Sequence, residues 1–162
     1  MHRPRLPSLL RLAALAIAAA GTLLLASCGG SPADTHPGQP VTKRKLAFKQ
    51  MLRSFEPMGL IVRGRKDYDR QEFLDFATEL QQLADKPWQY FTPGSDYPPT
   101  RAKATVWQQP DHFRAAREKL TDAVSHLTAV ARDGNLETIR PAFAQVEKSC
   151  QSCHREFRGG LL

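Results

Sequence analysis

Near the C-terminus seven residues follow one another at steps of three and four: Leu136, Ile139, Phe143, Val146, Cys150, Cys153 and Phe157. That period places them on one face of an α-helix and is incompatible with a strand, whose faces alternate at every second residue. A stripe roughly 30 Å long at about 1.5 Å per residue is stable only when buried against other helices. Two of its members are cysteines, and His154 follows the second of them, in the segment "SCQSCHREFR" from Ser149 to Arg158. Pro141 lies inside the stripe, so the helix is expected either to begin only at Arg140 or to bend there.

The chain upstream carries three more amphipathic patterns. The first runs from about Val41 to Arg63, with Phe48, Met51, Leu52, Phe55 and Met58 at helical spacing. Pro57 is expected to kink it rather than end it, because the pattern continues through Leu60 and Ile61. The second opens at Asp69-Arg70-Gln71-Glu72, a capping-box spacing with Asp69 as N-cap. Its stripe is Phe73, Phe76, Ala77, Leu80, Leu83 and Ala84, and Pro87 stops it near Asp85. The third starts near Pro110, a favourable first-turn residue, and ends at Gly134. Phe113, Ala116, Leu120, Ala123, Val124, Leu127 and Val130 mark its buried face. Short links within the first and second pairs of helices imply antiparallel neighbours. The expected fold is therefore all-α, an antiparallel four-helix bundle over residues 41–162. The link between the second and third helices, Asp85 to Gln109, is long and rich in proline. Trp88, Tyr90, Phe91, Tyr97 and Trp107 stud it, which favours an ordered loop packed on something apolar.

The N-terminus reads as an address. Arg3, Arg5 and Arg11 precede an apolar run from Leu12 to Ala26 that is short for a membrane span. Leu25-Ala26-Ser27-Cys28 resembles the lipobox of bacterial lipoproteins, in which the cysteine is acylated and becomes the first mature residue. Residues 1–27 are expected to be a lipoprotein signal peptide and 28–40 a flexible tether, leaving a periplasmic domain anchored to a membrane through lipid on Cys28. The alternative is ordinary cleavage near Cys28, leaving a free thiol there. The leader takes three of the 23 basic residues and none of the 16 acidic ones. The modest positive balance that remains does not indicate a nucleic-acid partner.

With Cys28 assigned to lipid, Cys150 and Cys153 remain. They would close too small a loop to act as a structural staple. A thioredoxin-like pair sits at a helix N-terminus beside a strand, whereas this pair lies at the far end of a helix. A structural zinc site needs four ligands, and Cys150, Cys153 and His154 make three. Cys-x-x-Cys-His is the attachment signature of c-type haem: two thiols for the vinyl groups and an imidazole for the iron.

Over Val41 to Arg158 the chain resembles the cytochrome c′ family of four-helix bundles with one covalent haem. The resemblance rests on "CQSCHREFR", on Arg44 followed four positions later by Phe48, on "YD" at Tyr68-Asp69, and on "PW" at Pro87-Trp88. "FTPGS" at Phe91 to Ser95 and "VWQQPDHF" at Val106 to Phe113 complete it. Pro141 and the Arg44-Lys45 pair depart slightly from the family pattern. The resemblance implies haem c, with Cys150 and Cys153 as thioether residues and His154 as the iron ligand. It implies Phe48 at the distal position and Arg158 beside the proximal imidazole. Arg158 one turn beyond His154 also has a plain reading, as a charge favouring the helix dipole. For Arg44 the plain reading, a solvated residue on an exposed helix face, is preferred.

Function turns on the sixth coordination position. Members with Met there are six-coordinate electron carriers, and those with an apolar residue are five-coordinate and bind small gases. Phe48 cannot ligate iron and would leave a crowded, dry site that favours NO and CO over O₂. Met51 is the rival ligand, which would make the protein a six-coordinate carrier between periplasmic redox partners. His112 and His126 stand off the buried stripe. No paired carboxylates, activated nucleophile or phosphate loop points to an enzyme. A homodimer through the first two helices is a family possibility.

Overall fold

The computed structural model describes residues 33–160. The expected leader and Cys28 lie outside them. Among the described residues the chain forms α1 (Pro40–Val62), α2 (Arg70–Leu83), a 3-10 turn (Trp88–Tyr90), α3 (Thr105–Gln108), α4 (Pro110–Asp133) and α5 (Leu136–Phe157). The four long helices are those the periodicity marks. No described helix is long and apolar enough to cross a membrane.

Local chemistry sets the ends. Asp69 caps α2 by accepting the Glu72 N–H at 2.8 Å. Pro40 and Pro110 occupy first-turn positions of α1 and α4, where no N–H is needed. α1 ends with Gly64 in the left-handed region, its N–H bonded to the Ile61 carbonyl and that of Arg65 to Leu60. Of the two expectations for Pro141, the start only at Arg140 is corrected. α5 starts at Leu136, because Asn135 and Thr138 form a reciprocal capping box that nucleates the helix ahead of the proline. Pro141 then sits on the exposed side of a helix that continues to Phe157.

Gly134 ends α4 without a left-handed turn, at φ −77°. A Cβ there would meet the Val130 carbonyl oxygen at 2.4 Å and Thr138 Oγ1 at 2.7 Å, so crowding between the last turn of α4 and the first turn of α5 is what calls for glycine. Its carbonyl accepts the Tyr68 hydroxyl at 3.0 Å, tying the start of α2 to the same corner.

The helices pack in ring order: α1 on α2, α2 on α4, and α4 most extensively on α5. Phe73, Phe143, Met58, Ile61, Leu80, Leu127 and Ile139 are fully buried between them. Phe55 of α1 stacks on Phe143 of α5, centroids 4.5 Å apart. Two hydroxyls latch neighbours, Ser54 to Glu79 at 2.8 Å and Thr128 to the Ala77 carbonyl at 3.0 Å. Two stripes differ from the expected ones. Leu52 and Leu60 of α1 are exposed, and α4 buries Thr128 and Ala131 in addition to Leu120, Val124 and Leu127, with Phe113 partly buried against the core as expected. α1 and α5 make little contact with each other, and the Asp85–Gln109 loop covers one end of the space between them.

The tether boundary also moves. Residues 33–39 lie against the bundle. Asp34 is 3% exposed and accepts the backbone N–H groups of His36 (3.2 Å) and Thr42 (3.1 Å) and the hydroxyl of Tyr97 (3.0 Å). Asp34 is the buried residue of this segment, and its hydrogen bonds, with the stack of His36 on Tyr97, hold it.

Gly134→Ala is expected to lower stability by about 1–3 kcal/mol through overpacking, although alanine adopts φ −77° readily. Urea denaturation checks it. An unchanged midpoint would mean that the α4–α5 corner is loose.

Candidate functional site

Between α1 and α5 lies a cavity of about 560 Å³, within the roughly 300–1,000 Å³ range of cofactor and small-molecule sites. Its walls are mainly apolar. α5 contributes Val146, Cys150, Cys153, His154 and Phe157, and α1 contributes Arg44, Phe48, Met51, Leu52 and Phe55. Trp88, Phe91 and Phe113 form one end. A second groove, of about 580 Å³, lies on the outer α4–α5 face between Lys119, Asp122, His126 and Lys148. It is shallower and has charged edges, so the chemistry resides in the first. His126 belongs to this outer groove. His112 is exposed, with Nδ1 3.9 Å from Glu156 Oε1. Neither histidine lines the cavity.

The α5 wall brings together Cys150, Cys153 and His154, because positions 150 and 153 share a helix face and 154 adjoins it. Both cysteines are free and half-buried. Burial pushes each thiol up to about 11, so both are protonated at neutral pH. Burial, and then the charges of Arg158 and Arg101, hold the His154 pKa below its ordinary value. Its imidazole is neutral at pH 7 and has a lone pair to offer a metal.

Arg158 is one residue outside α5. It is an extended cap whose N–H bonds the His154 carbonyl at 3.1 Å, the i→i−4 bond that sets it one turn beyond His154 as expected. Its side chain still lines the cavity. The cap pairs with the long loop through a bridge between Ala102 and Arg158. The Lys103 N–H bonds the Phe157 carbonyl at 2.8 Å and the Gly159 N–H bonds Arg101 at 2.6 Å. This pairing brings Thr100, Arg101, Ala102 and Val106 to the cavity wall. No periodicity in the sequence marks these residues, since irregular backbone places them.

The preferred reading of Arg44 is overturned. Its side chain is buried, with the residue 3% exposed. Nη1 donates to Ser95 Oγ at 2.9 Å and the Tyr90 carbonyl at 3.3 Å, and Nη2 to the Ser95 carbonyl at 2.6 Å and to Thr100 Oγ1. The guanidinium lies 4.8 Å from the Phe91 ring centre and 5.8 Å from that of Trp107. Ser95 is itself 1% exposed. Helical position puts Arg44 on the inward face, one turn before Phe48, and the loop carbonyls supply what water would have supplied. Burial lowers its pKa, while Tyr97, Asp34 and Asp96 raise it. Arginine remains charged. Phe48 stands edge-on to Trp88 and Phe91, at 5.6 and 6.3 Å. Met51 is 6% exposed and also reaches the cavity.

Two thiols and a neutral imidazole on one wall of an apolar slot fit a porphyrin held by thioethers and one axial ligand. The bundle and this wall together define a helical c-type haem protein. Residues 39–158 match the family described as Cytochrome C′. The cytochrome c′ of Alcaligenes xylosoxydans xylosoxydans is 30% identical over 122 residues, covering 75% of this chain and 94% of the relative. That of Cereibacter sphaeroides is 32% identical over 122 residues, covering 73% and 81%. Among solved structures, cytochrome c prime from Shewanella frigidimarina superposes with a TM-score of 0.74 at 28% identity, covering 78% of this chain and 98% of that one. A nitric oxide complex of a variant from Alcaligenes xylosoxidans gives 0.73 at 28%, with the same coverage. The chain belongs to the cytochrome c′ family, whose members carry covalently bound haem c.

Arg44→Leu would leave the Tyr90 and Ser95 carbonyls without a buried donor. It is expected to reduce the unfolding free energy by about 1–3 kcal/mol. Arg44→Lys should recover only part, because one ammonium cannot replace a planar fork. Urea titration of the three proteins checks this, and full recovery by lysine would sink the fork argument.

Proposed function

We propose that this protein binds NO and CO at a five-coordinate haem c. The carrying observation is Phe48, a side chain with no ligating atom, wedged against Trp88 and Phe91 on the wall opposite His154. Haem c supplies, when bound, an iron that takes up diatomic gases and exchanges an electron. Cys150 and Cys153 would hold it covalently, His154, neutral at pH 7, would offer its lone pair to the iron, and Arg158 sets the charge beside that imidazole. Phe48 and Phe55 keep water from the opposite wall. Arg44 does not serve as a free donor to bound O₂, because both terminal nitrogens are committed to the loop. Solved relatives described as nitric oxide and carbon monoxide complexes support the choice of ligand.

Met51 favours a second reading. Its buried thioether also reaches the cavity, and ligation by it would make the protein a six-coordinate electron carrier. Either function belongs in the periplasm, on a membrane if Cys28 carries lipid. The exposed Leu46 and Leu60 of α1, which do not line the cavity, support a homodimer through that helix.

The ferric protein is expected to give a high-spin EPR spectrum, and the ferrous protein to take up NO. Met51→Leu should change neither. Phe48→Ala should speed CO association about tenfold, or ~1.4 kcal/mol in barrier, as read by stopped flow. A low-spin ferric spectrum that Met51→Leu converts to high spin would replace gas binding with electron transfer.

A further inference from the structure

Arg44 is a cation buried among neutral partners. Its hydrogen bonds run to two carbonyls and two hydroxyls. A buried charge of this kind needs an opposite charge nearby. Asp34 is the buried carboxylate beside it: it accepts the N–H of Thr42, two residues before Arg44, at 3.1 Å and the hydroxyl of Tyr97, in the loop that wraps Arg44, at 3.0 Å, while Asp96 is exposed.

Asp34 grips three parts of the chain. Oδ1 accepts the His36 N–H and the Tyr97 hydroxyl, and Oδ2 accepts the Thr42 N–H in the first turn of α1. The residue at the N-cap position, Gln39, is left-handed at φ 48° and makes no side-chain cap bond. Asp34, eight residues before Thr42, takes over that task. The His36 ring stacks on Tyr97 at 3.4 Å and 17°, so the segment holds the loop by ring contact as well. The loop between Tyr90 and Thr100 is thus held by Arg44 from the cavity side and by Asp34 and His36 from the N-terminal side. Thr100 and Arg44 are themselves cavity wall.

We propose that Asp34 is a positioning residue for the haem cavity. It fixes the loop that embraces Arg44 and supplies the negative charge that offsets this cation. The electrostatic half rests on the haem reading above, and the mechanical half does not. The segment 33–39 is then part of the functional site, although it touches no cofactor wall.

Two variants of the full-length haem-loaded protein separate the halves. Asp34→Asn keeps an acceptor and removes the charge, and Tyr97→Phe keeps the charge and removes the link to the loop. Reduction potential, by spectroelectrochemistry, and hydrogen exchange at the Ser95, Thr100, Ala102 and Lys103 amides are the readouts. Asp34→Asn is expected to raise the potential, because an uncompensated Arg44 favours the less positive ferrous state. Tyr97→Phe is expected to leave the potential near wild type and to speed exchange at these amides about tenfold. A helix cap with no further role would lower the melting temperature of Asp34→Asn and leave the potential unchanged, which overturns the electrostatic half. Wild-type exchange in Tyr97→Phe overturns the mechanical half. A chain that shows no Soret band refutes the haem reading instead, and exchange at the same amides still decides the grip of Asp34.

Discussion

A guanidinium taken out of water near the start of α1 is the interaction on which the cavity depends. Arg44 is buried on the inward face of α1, and the chain answers by turning loop carbonyls and hydroxyls toward it. Desolvating such a group is costly unless its donors are satisfied. The conformation of the Tyr90–Thr100 stretch is therefore prescribed by one side chain some fifty positions away in sequence. The aromatic residues of the loop gain a fixed place from the same contact. Phe91 lies under the guanidinium, stacks with Trp88, and meets Phe113 at 4.9 Å.

The shape of the bundle follows from how unevenly its helices approach. Three of the four neighbouring pairs pack closely, and α1 and α5 meet at one end, through the Phe55–Phe143 stack, the Arg63–Glu147 pair and the bond from Arg140 to the Val62 carbonyl. Beyond that stack the side chains facing inward are Phe48, Met51 and Phe55 on one side and Val146, Cys150 and Cys153 on the other. A core built this way has a slot in place of its last seam. The two walls are chemically unlike. One carries two thiols and an imidazole, and the other carries aromatic rings and the Met51 thioether, so the two faces of a flat cofactor would meet different chemistry.

Helical periodicity made the four long helices and the thiol–imidazole wall legible, because burial on one face leaves a regular trace. Asp69 and Pro110 located their helix ends by local chemistry that needs no tertiary context. Pro141 did not stop α5, because the Asn135 box acts first. Arg44 was misread for a physical reason. A charged residue is usually solvated, and its burial is decided by the backbone of a loop without periodicity. Asp34 escaped notice in the same way. It lies in a stretch whose glycine and proline content reads as linker, and its partners are two backbone amides and a tyrosine distant in sequence. Thr100, Arg101 and Ala102 reach the cavity only through the pairing of the loop with the end of α5.

That pairing has a consequence for wear. The last turn of a terminal helix ordinarily frays, and here that turn bears His154. The Phe157 and Gly159 bonds to Lys103 and Arg101 hem this edge, and the Lys103 ammonium adds a bond to the Arg155 carbonyl at 2.8 Å. Unwinding the turn that carries the imidazole would first have to break the hem, so the loop gives this part of α5 a second anchorage besides its own helical bonds.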